Sequence, residues 1–171
     1  NNEHPEGMQE IFRKFGLGAL SGIDLPEEAS GRVPDAKWKW DYYSSSPDDA
    51  RAWQGGDNCN LSIGQGDLLV TCLQMANAYS GIATRGQIWK PHVKSINARS
   101  GNGSVIEYKN EAIIECKESD TNYDIVTRGL HGMVYEEDPA YTAHWTSLDV
   151  QVEGKTGTAQ QITVGDPVGW F

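Results

Sequence analysis

The sequence has no hydrophobic run long enough to cross a membrane. A helical span needs about 18 or more apolar residues in succession, and no such run occurs in the 171 residues. No signal peptide is recognisable at the start of the chain. The chain does not begin with methionine. The lack of a membrane span and a signal peptide in this chain therefore does not mean that the native protein lacks them.

Cysteine is scarce and the histidines are scattered. The three cysteines are far apart and include no C-x-x-C pair, which predicts neither a disulfide framework nor a zinc site, although one pair could bridge. They are Cys59, Cys72 and Cys116. The four histidines show no H-x-x-x-H spacing, so positions on the surface or in the core are the better interpretation than metal ligation. They are His4, His92, His131 and His144.

Positive charge is also limited. The chain carries 14 Lys and Arg against 24 Asp and Glu, a formal net charge of −10, and has no cluster of five basic residues. Proteins that bind nucleic acid present a basic patch to the phosphates. We therefore expect no nucleic-acid partner, and we interpret the acidity as favouring solubility.

Apolar spacing predicts a first helix near the start of the chain. Met8, Ile11, Phe12 and Phe15 follow the i, i+3, i+4, i+7 pattern of one buried face. Gly16 suits the left-handed position that ends many helices. Residues 17–40, rich in glycine and proline, predict a long ordered loop, and residues 41–57 predict its exposed continuation.

Two further helices are predicted from their caps. Thr71 and Gln74 have the spacing of a capping box, followed by an expected apolar stripe at Cys72, Met75, Ala76, Tyr79 and Ile82. Ser119 is placed to cap the other helix, which we expect to end at Asp138-Pro139. Its expected buried stripe is Tyr123, Val126, Leu130, Met133 and Val134.

The remaining signals are those of strands. Asn102-Gly103 predicts a hairpin between residues 88–96 and 104–110. Leu148, Val150 and Val152 alternate with polar residues, which predicts a half-buried strand that leads into Lys-Thr-Gly at residues 155–157.

A lysine beside Gly-Thr invites three interpretations. A phosphate-binding P-loop requires a glycine five positions before Gly154, but Asp149 stands there, and no helical pattern follows. An acyl-transfer site would use the Lys155 ammonium to attract a substrate carboxylate, with the Thr156 and Thr158 hydroxyls as hydrogen-bonding groups. A bare K-T-G also arises by chance in about two per cent of chains of this length, so the tripeptide alone does not decide.

Three longer sequence segments, one of which contains K-T-G, distinguish between these interpretations. "GLGALSGIDLPEEASGRVP", "NLSIGQGDLLVTCLQMANAYSGIATRGQIWKPHV" and "VEGKTGTAQ" occur in this order. Together they resemble the C-terminal half of the transpeptidase domain of class B penicillin-binding proteins, the D,D-transpeptidases that cross-link peptidoglycan. The resemblance extends over essentially the whole chain, and K-T-G is one of the motifs of penicillin-recognising serine enzymes.

The resemblance implies a site that this chain holds only in part. The family's nucleophilic serine belongs to S-x-x-K, yet none of the eight lysines here has a serine three residues before it. No S-x-N precedes the G-Q-G block, and Ser95-Ile96-Asn97 follows it, out of the family's order. By resemblance, Lys155 is the catalytic residue in this chain, and Thr156, Gly157 and Thr158 line the substrate-binding strand.

The resemblance also implies where this chain lies in the domain. The last residues, "DPVGWF", look like the start of the strand that pairs with the K-T-G strand. We expect residues 1–171 to be the C-terminal portion of one transpeptidase domain, with the nucleophile segment and the final helix absent. The expected fold class is α/β (α+β): a partial penicillin-binding transpeptidase fold, truncated at both ends, with an antiparallel sheet flanked by helices.

The same resemblance sets the remaining expectations. The expected partners are peptidoglycan stem peptides, β-lactam antibiotics and, in the intact protein, a glycosyltransferase of the cell-wall machinery. No metal or organic cofactor is implied. The expected location is the extracytoplasmic face of the bacterial cell membrane, with the anchor outside this chain, and the isolated chain is expected to be inactive. The alternative is a non-catalytic penicillin-binding sensor or interaction domain on the same scaffold.

Overall fold

A computed structural model describes residues 6–93, 97–99, 101–103, 105–107, 111–136, 145–159 and 168–170. The chain divides into two compact units, Asn1–Lys117 and Glu118–Phe171. The helices of the first unit are α1 (Gly7–Lys14), α2 (Ala36–Tyr42), α3 (Asp48–Arg51), α4 (Gly55–Ser62) and α5 (Cys72–Ala83). Its strands are β1 (Gln87–Trp89), β2 (Asn97–Arg99), β3 (Val105–Glu107) and β4 (Ala112–Glu115). The second unit holds α6 (Asp120–Tyr135), β5 (Gly157–Ala159) and β6 (Val168–Trp170).

Within the described residues the strands form three antiparallel pairs, which are β1 with β4, β2 with β3, and β5 with β6. This mixture of helices with small antiparallel sheets confirms the predicted fold class. A hairpin forms around Asn102-Gly103 as predicted, and Gly103 has the positive φ of +83° that such turns need. Its first strand is β2, however, and not the predicted residues 88–96, since β1 pairs with β4 instead. None of the described helices combines the length and apolar character that a membrane span requires.

The core of the first unit lies between α1, α5 and the loop that joins α1 to α2. Leu17, Val33 and Ala78 are its buried centre. Half-buried apolar side chains pack around them, namely Phe12, Phe15, Leu68, Val70 and Met75. Gly81 of α5 lets the fully buried Ile88 of β1 approach, because a Cβ at Gly81 would lie 2.7 Å from the Ile88 side chain. This close approach fixes the first strand against the helix.

Helix α5 begins as the sequence predicts, but its buried face is shifted from the predicted stripe. The Thr71 hydroxyl accepts a hydrogen bond from the Gln74 N–H at 3.1 Å, and the Gln74 side chain accepts one from the Thr71 N–H at 3.0 Å, which is a complete capping box. Cys72 and Ala76, predicted within the apolar stripe, are exposed. Met75, Tyr79 and Ile82 of the same stripe are half-buried, and the fully buried positions are Gln74, Ala78 and Gly81. The buried face is shifted toward Gln74 because its amide bonds the loop carbonyls of Ala19 and Ser30.

Helix α1 also departs from its predicted face. It spans the predicted residues, and Gly16 follows it with φ +82°. Gln9, however, is its most buried side chain at 1% exposure, whereas Ile11 is 36% exposed. Amphipathic spacing alone therefore placed the helix but not the centre of its buried face.

The predicted exposed loop over residues 41–57 is wrong, because three short helices occupy much of residues 36–62. Asp35 caps α2, with its carboxylate accepting from the Trp38 N–H at 2.8 Å. The Asp57 carboxylate accepts from the Gln54 N–H at 2.6 Å at the start of α4. Polar caps, rather than an apolar period, define α2 and α4, whereas α3 starts after Pro47 without a side-chain cap. The predicted loop remains only over residues 17–35.

In the second unit, α6 begins where predicted. The Ser119 side chain accepts a hydrogen bond from the Asn122 N–H at 3.2 Å. Tyr123, Met133 and Val134 are buried as predicted, whereas Val126 is 44% exposed. The helix ends at Tyr135, and the predicted end at Asp138-Pro139 lies outside the described residues.

Candidate active site

The K-T-G-T segment lies at the start of strand β5. Lys155 and Thr156 precede the strand, and Gly157 and Thr158 form its first two residues. All four are exposed. Strand β6 pairs with β5 in antiparallel register, with Gly157 opposite Trp170 and Thr158 opposite Gly169. The pairing expected for the segment "DPVGWF" is thereby confirmed for residues 168–170.

The strand predicted over residues 148–153 does not form. Residues 148–156 have no regular secondary structure, and Leu148 and Val150 are 45% and 67% exposed. Only Val152 of the three alternating residues is half-buried. The alternation failed as a signal because helix α6, not a neighbouring strand, holds the backbone of this segment.

Three contacts join the segment before Lys155 to the last turns of α6. The Val152 N–H donates to the Tyr135 hydroxyl oxygen at 3.0 Å. The buried Gly154 donates to the Leu130 carbonyl at 3.4 Å, a long bond. The Gln151 amide lies 2.9 Å from Nδ1 of His131.

These helix residues were missed in the sequence. His131 and Tyr135 are four residues apart on one helix face, and their rings lie 4.7 Å apart between centroids. An aromatic pair at this spacing can be recognised within the helix sequence, but the segment that it contacts, residues 151–152, lies outside the helix. The pair could have been found from sequence, whereas its partners could not.

The Lys155 ammonium is held beside its own chain. It donates to the Thr156 carbonyl at 2.7 Å, and its side chain is exposed. A fixed cation next to a strand offers an attractive field to an anionic group that lies along that strand. Lys155 and Thr158 are both exposed, so both are accessible to a ligand.

Strand β5 offers hydrogen-bonding groups along one edge. Among the described residues it pairs with β6 alone, and in an antiparallel pair successive residues direct their N–H and C=O groups to opposite sides. Some backbone groups of Gly157–Ala159 therefore face away from β6. Such an edge can bind an extended peptide as an added strand.

The other family-like block lies in the first unit. Helix α4 carries the buried Leu61, and the G-Q-G turn follows with Gly64 and Gly66 both at φ +74°. These left-handed positions explain why glycine occupies both sites. Cys59, Cys72 and Cys116 all lie within the described residues, and none of them forms a disulfide bond. Within the described ranges no three His, Cys, Asp or Glu side chains are grouped to hold a metal ion.

Comparison with known proteins places these features in one family. The family model described as the penicillin binding protein transpeptidase domain matches residues 3–171. The chain is 36% identical over 164 residues to penicillin-binding protein PbpB of Mycolicibacterium smegmatis, covering 92% of this chain and 22% of that protein. It is 30% identical over 160 residues to the peptidoglycan D,D-transpeptidase MrdA of Acinetobacter baumannii, covering 90% of this chain and 21% of that protein.

A solved structure has the same fold. The complex between penicillin-binding protein PBP2 and MreC from Helicobacter pylori matches with a TM-score of 0.69 and 25% identity, over 90% of this chain and 26% of that one. The chain spans about a fifth of the length of the two curated relatives. With a family model that matches 169 of the 171 residues, counted from 3 to 171, the chain belongs to the penicillin-binding protein transpeptidase domain family.

Proposed function

We propose that this chain is part of a peptidoglycan D,D-transpeptidase that acts through a serine acyl-enzyme and binds penicillin. The observation that carries the proposal is the exposed K-T-G-T segment, which holds an ammonium, two hydroxyl side chains and a strand edge that pairs with no further strand among the described residues. Residues 1–171 form the C-terminal portion of the transpeptidase domain in this proposal. The serine comes from a segment before Asn1.

Each residue of the segment has a chemical task in the proposed reaction. Lys155 attracts the C-terminal carboxylate of a D-Ala-D-Ala stem peptide and stabilises negative charge in the transition state. The hydroxyls of Thr156 and Thr158 hydrogen-bond that carboxylate or the acyl-side amide. Gly157 lets the peptide backbone lie against the strand, and the Thr158 N–H is a donor to the developing oxyanion.

The chemistry itself is acyl transfer in two steps. The serine oxygen attacks the penultimate D-Ala carbonyl, and its proton passes to the lysine of the S-x-x-K motif, which is not Lys155. The terminal D-Ala then leaves as the amine. The amine of a second stem peptide then attacks the ester, which forms the cross-link and returns the serine. A β-lactam would acylate the same serine, because its ring opens at the corresponding amide.

The proposed setting follows from the family. The intact protein is anchored in the bacterial cell membrane and works on its extracytoplasmic face, where peptidoglycan stem peptides are present. A glycosyltransferase of the cell-wall machinery is the proposed protein partner. A protein of the MreC kind is a second proposed partner, since the similar PBP2 of Helicobacter pylori forms a complex with MreC.

A fluorescent penicillin separates the chain from the longer gene product. The 171-residue chain has no S-x-x-K, so we expect no boiling-resistant label, whereas the longer product with the serine should label at one site per molecule. A stoichiometric label on the isolated chain would refute the placement of the nucleophile outside it. No label on the longer product would favour the alternative of a non-catalytic interaction domain.

Substitution of the lysine tests its role in the longer product. Lys155→Ala should reduce the second-order rate of labelling by about a hundredfold, the usual loss when one charge-stabilising group is removed. Lys117→Ala is the matched control, because Lys117 is 79% exposed and pairs with the exposed Glu115 at 3.2 Å. Equal rates for both variants would show that Lys155 has no part in acylation.

A further inference from the structure

The segment that leads into K-T-G depends on helix α6 for its position. Residues 151–156 have no strand or helix hydrogen bonds of their own. In the described parts of the chain, their backbone N–H groups bond only to α6, from Val152 to Tyr135 and from Gly154 to Leu130. The second of these bonds is long at 3.4 Å, so the bond at 3.0 Å to the Tyr135 hydroxyl is the stronger one.

We propose that Tyr135 is a positioning residue for the transpeptidase site. Its hydroxyl holds Val152 and so fixes where Lys155 and Thr158 stand relative to a bound peptide. The inference rests on the proposed function, because it assigns Tyr135 to the same site. Tyr135 does not itself touch substrate and acts through the backbone of residues 152–154.

The ring of Tyr135 is well placed for this task. It lies in the last turn of α6, directly after the buried Met133 and Val134, so its backbone is anchored in the core of the second unit. The His131 ring lies tilted at 37° to it with the centroids 4.7 Å apart, which restricts rotation of the tyrosine side chain. His131 also contacts Gln151 at 2.9 Å, so two neighbouring side chains hold two successive residues of the segment.

The chain between the held residue and the lysine is short. Val152 and Lys155 are three residues apart, so the backbone between them spans at most about 10 Å. A misplacement of about 1 Å can cost a large part of a catalytic rate. Loss of the Val152 bond should therefore be measurable at Lys155, although Tyr135 is remote from the chemistry.

The test removes the Tyr135 hydroxyl and compares the effect on penicillin labelling with that of removing the Tyr79 hydroxyl. Tyr135→Phe deletes the acceptor and keeps the ring, whereas Tyr79→Phe makes the same change on α5, in the first unit, where burial raises the pKa of the half-buried Tyr79. In the longer gene product we expect Tyr135→Phe to slow fluorescent-penicillin labelling by about fivefold to tenfold, the usual size of one lost hydrogen bond. The urea midpoint should change little, and Tyr79→Phe should label at the wild-type rate.

A second measurement uses the 171-residue chain alone. Hydrogen exchange of the backbone amides of residues 152–159 should be about tenfold faster in Tyr135→Phe, with α5 unchanged in both variants. Unchanged exchange in residues 152–159, or equal slowing of labelling in both tyrosine variants, would overturn the inference. If the wild-type longer product does not label at all, the proposed function fails, and the exchange measurement still decides whether Tyr135 holds the segment.

Discussion

The Lys39 ammonium lies 2.7 Å from the Asp57 carboxylate and joins α2 to the start of α4. The two side chains are only 11% and 21% exposed. The ammonium also donates to the Ala52 carbonyl at 3.1 Å, and the Asp57 carboxylate also accepts from the Gln54 N–H. This pair therefore connects α2, the end of α3 and the start of α4.

Removal of Lys39 should be costly because it leaves the half-buried Asp57 carboxylate without its cation. We expect Lys39→Met to lower the free energy of unfolding by about 3 kcal/mol. Lys37→Met is the matched control on the same helix. Its ion pair with Asp41 has side chains 84% and 59% exposed, so solvent screens the pair and the change should cost far less than the loss of Lys39. Urea unfolding of both variants measures the difference, and equal losses would show that the Lys39 pair is not a structural tie.

Gly31 is expected to be irreplaceable for a different reason. Its φ is +62°, and a Cβ there would lie 2.4 Å from the Leu69 carbonyl and 2.7 Å from the Gln74 side-chain oxygen. Gly31→Ala should cost about 1–2 kcal/mol for the left-handed backbone and a further 1–3 kcal/mol for the clash. It should also disturb the Gln74 amide that caps α5.

Gly64→Ala provides the control for Gly31. Gly64 has a similar φ of +74°, but a Cβ there would meet nothing within 4 Å. Only the conformational cost of about 1–2 kcal/mol should remain. Thermal unfolding of the two variants separates the backbone cost from the cost of the clash. An equal loss of stability would mean that the contact with Leu69 relaxes freely.

The helix starts were the parts of this fold that the sequence predicted well. Thr71 and Ser119 cap α5 and α6 as expected, because a cap is an interaction between residues two or three apart. The pairing of β6 with the K-T-G strand was also correct, although it rested on family resemblance. Helices α2 to α4 were missed because they lack an apolar period and are joined by the Lys39–Asp57 pair, 18 residues apart along the chain.

The motif names the residues of the candidate site, whose roles stay a prediction, but it does not name the residues that hold the segment in place. Lys155, Thr156, Gly157 and Thr158 were identified from the motif. The hydrogen bond between Val152 and Tyr135 joins residues 17 apart, and no periodicity encodes such a contact. Gln9 shows the same limit in the first unit, because a polar residue buried to 1% exposure contradicts the pattern that places the helix.

Glu27 is strained by its backbone, and glycine should relieve that strain. Its φ is +60°, in the left-handed region, and its side chain is exposed. The conformation costs a residue with a Cβ about 1–2 kcal/mol, while glycine loses about 0.5–1 kcal/mol through the flexibility of the unfolded chain. We therefore expect Glu27→Gly to raise the free energy of unfolding by about 0.5–1 kcal/mol.

The same substitution inside a helix should have the opposite sign. Glu10 is exposed within α1, and Glu10→Gly should lower the free energy of unfolding by about 1 kcal/mol. Differential scanning calorimetry of both variants measures the two shifts of the melting temperature. A melting temperature for Glu27→Gly at or below that of the wild type would show that the loop does not hold this conformation in solution.

The carboxylate of Glu28 should make the stability of the loop over residues 21–28 depend on pH. It accepts hydrogen bonds from the Ser21 N–H at 2.7 Å, from the Ser21 hydroxyl and from the Gly22 N–H at 3.0 Å. Burial works to raise the pKa of Glu28, but the hydrogen bonds from Ser21, Gly22 and Ile23 together outweigh it, so the pKa lies below its usual value of 4.5. Because the folded pKa is the lower one, the stabilisation is fully present above the unfolded pKa and is lost as the pH falls through the folded pKa.

Two variants test this pH dependence from opposite ends of the same hydrogen bond. Glu28→Gln and Ser21→Ala should each be less stable than the wild type at pH 7, and each difference should shrink as the pH falls below about 4.5. Urea midpoints measured between pH 7 and pH 3 give the differences directly. If the gap between wild type and both variants stayed constant down to pH 3, the stabilisation would not arise from the ionised carboxylate. A gap that grew at low pH would require a folded pKa above the unfolded one, opposite to the direction that the hydrogen bonds of Ser21 and Gly22 impose.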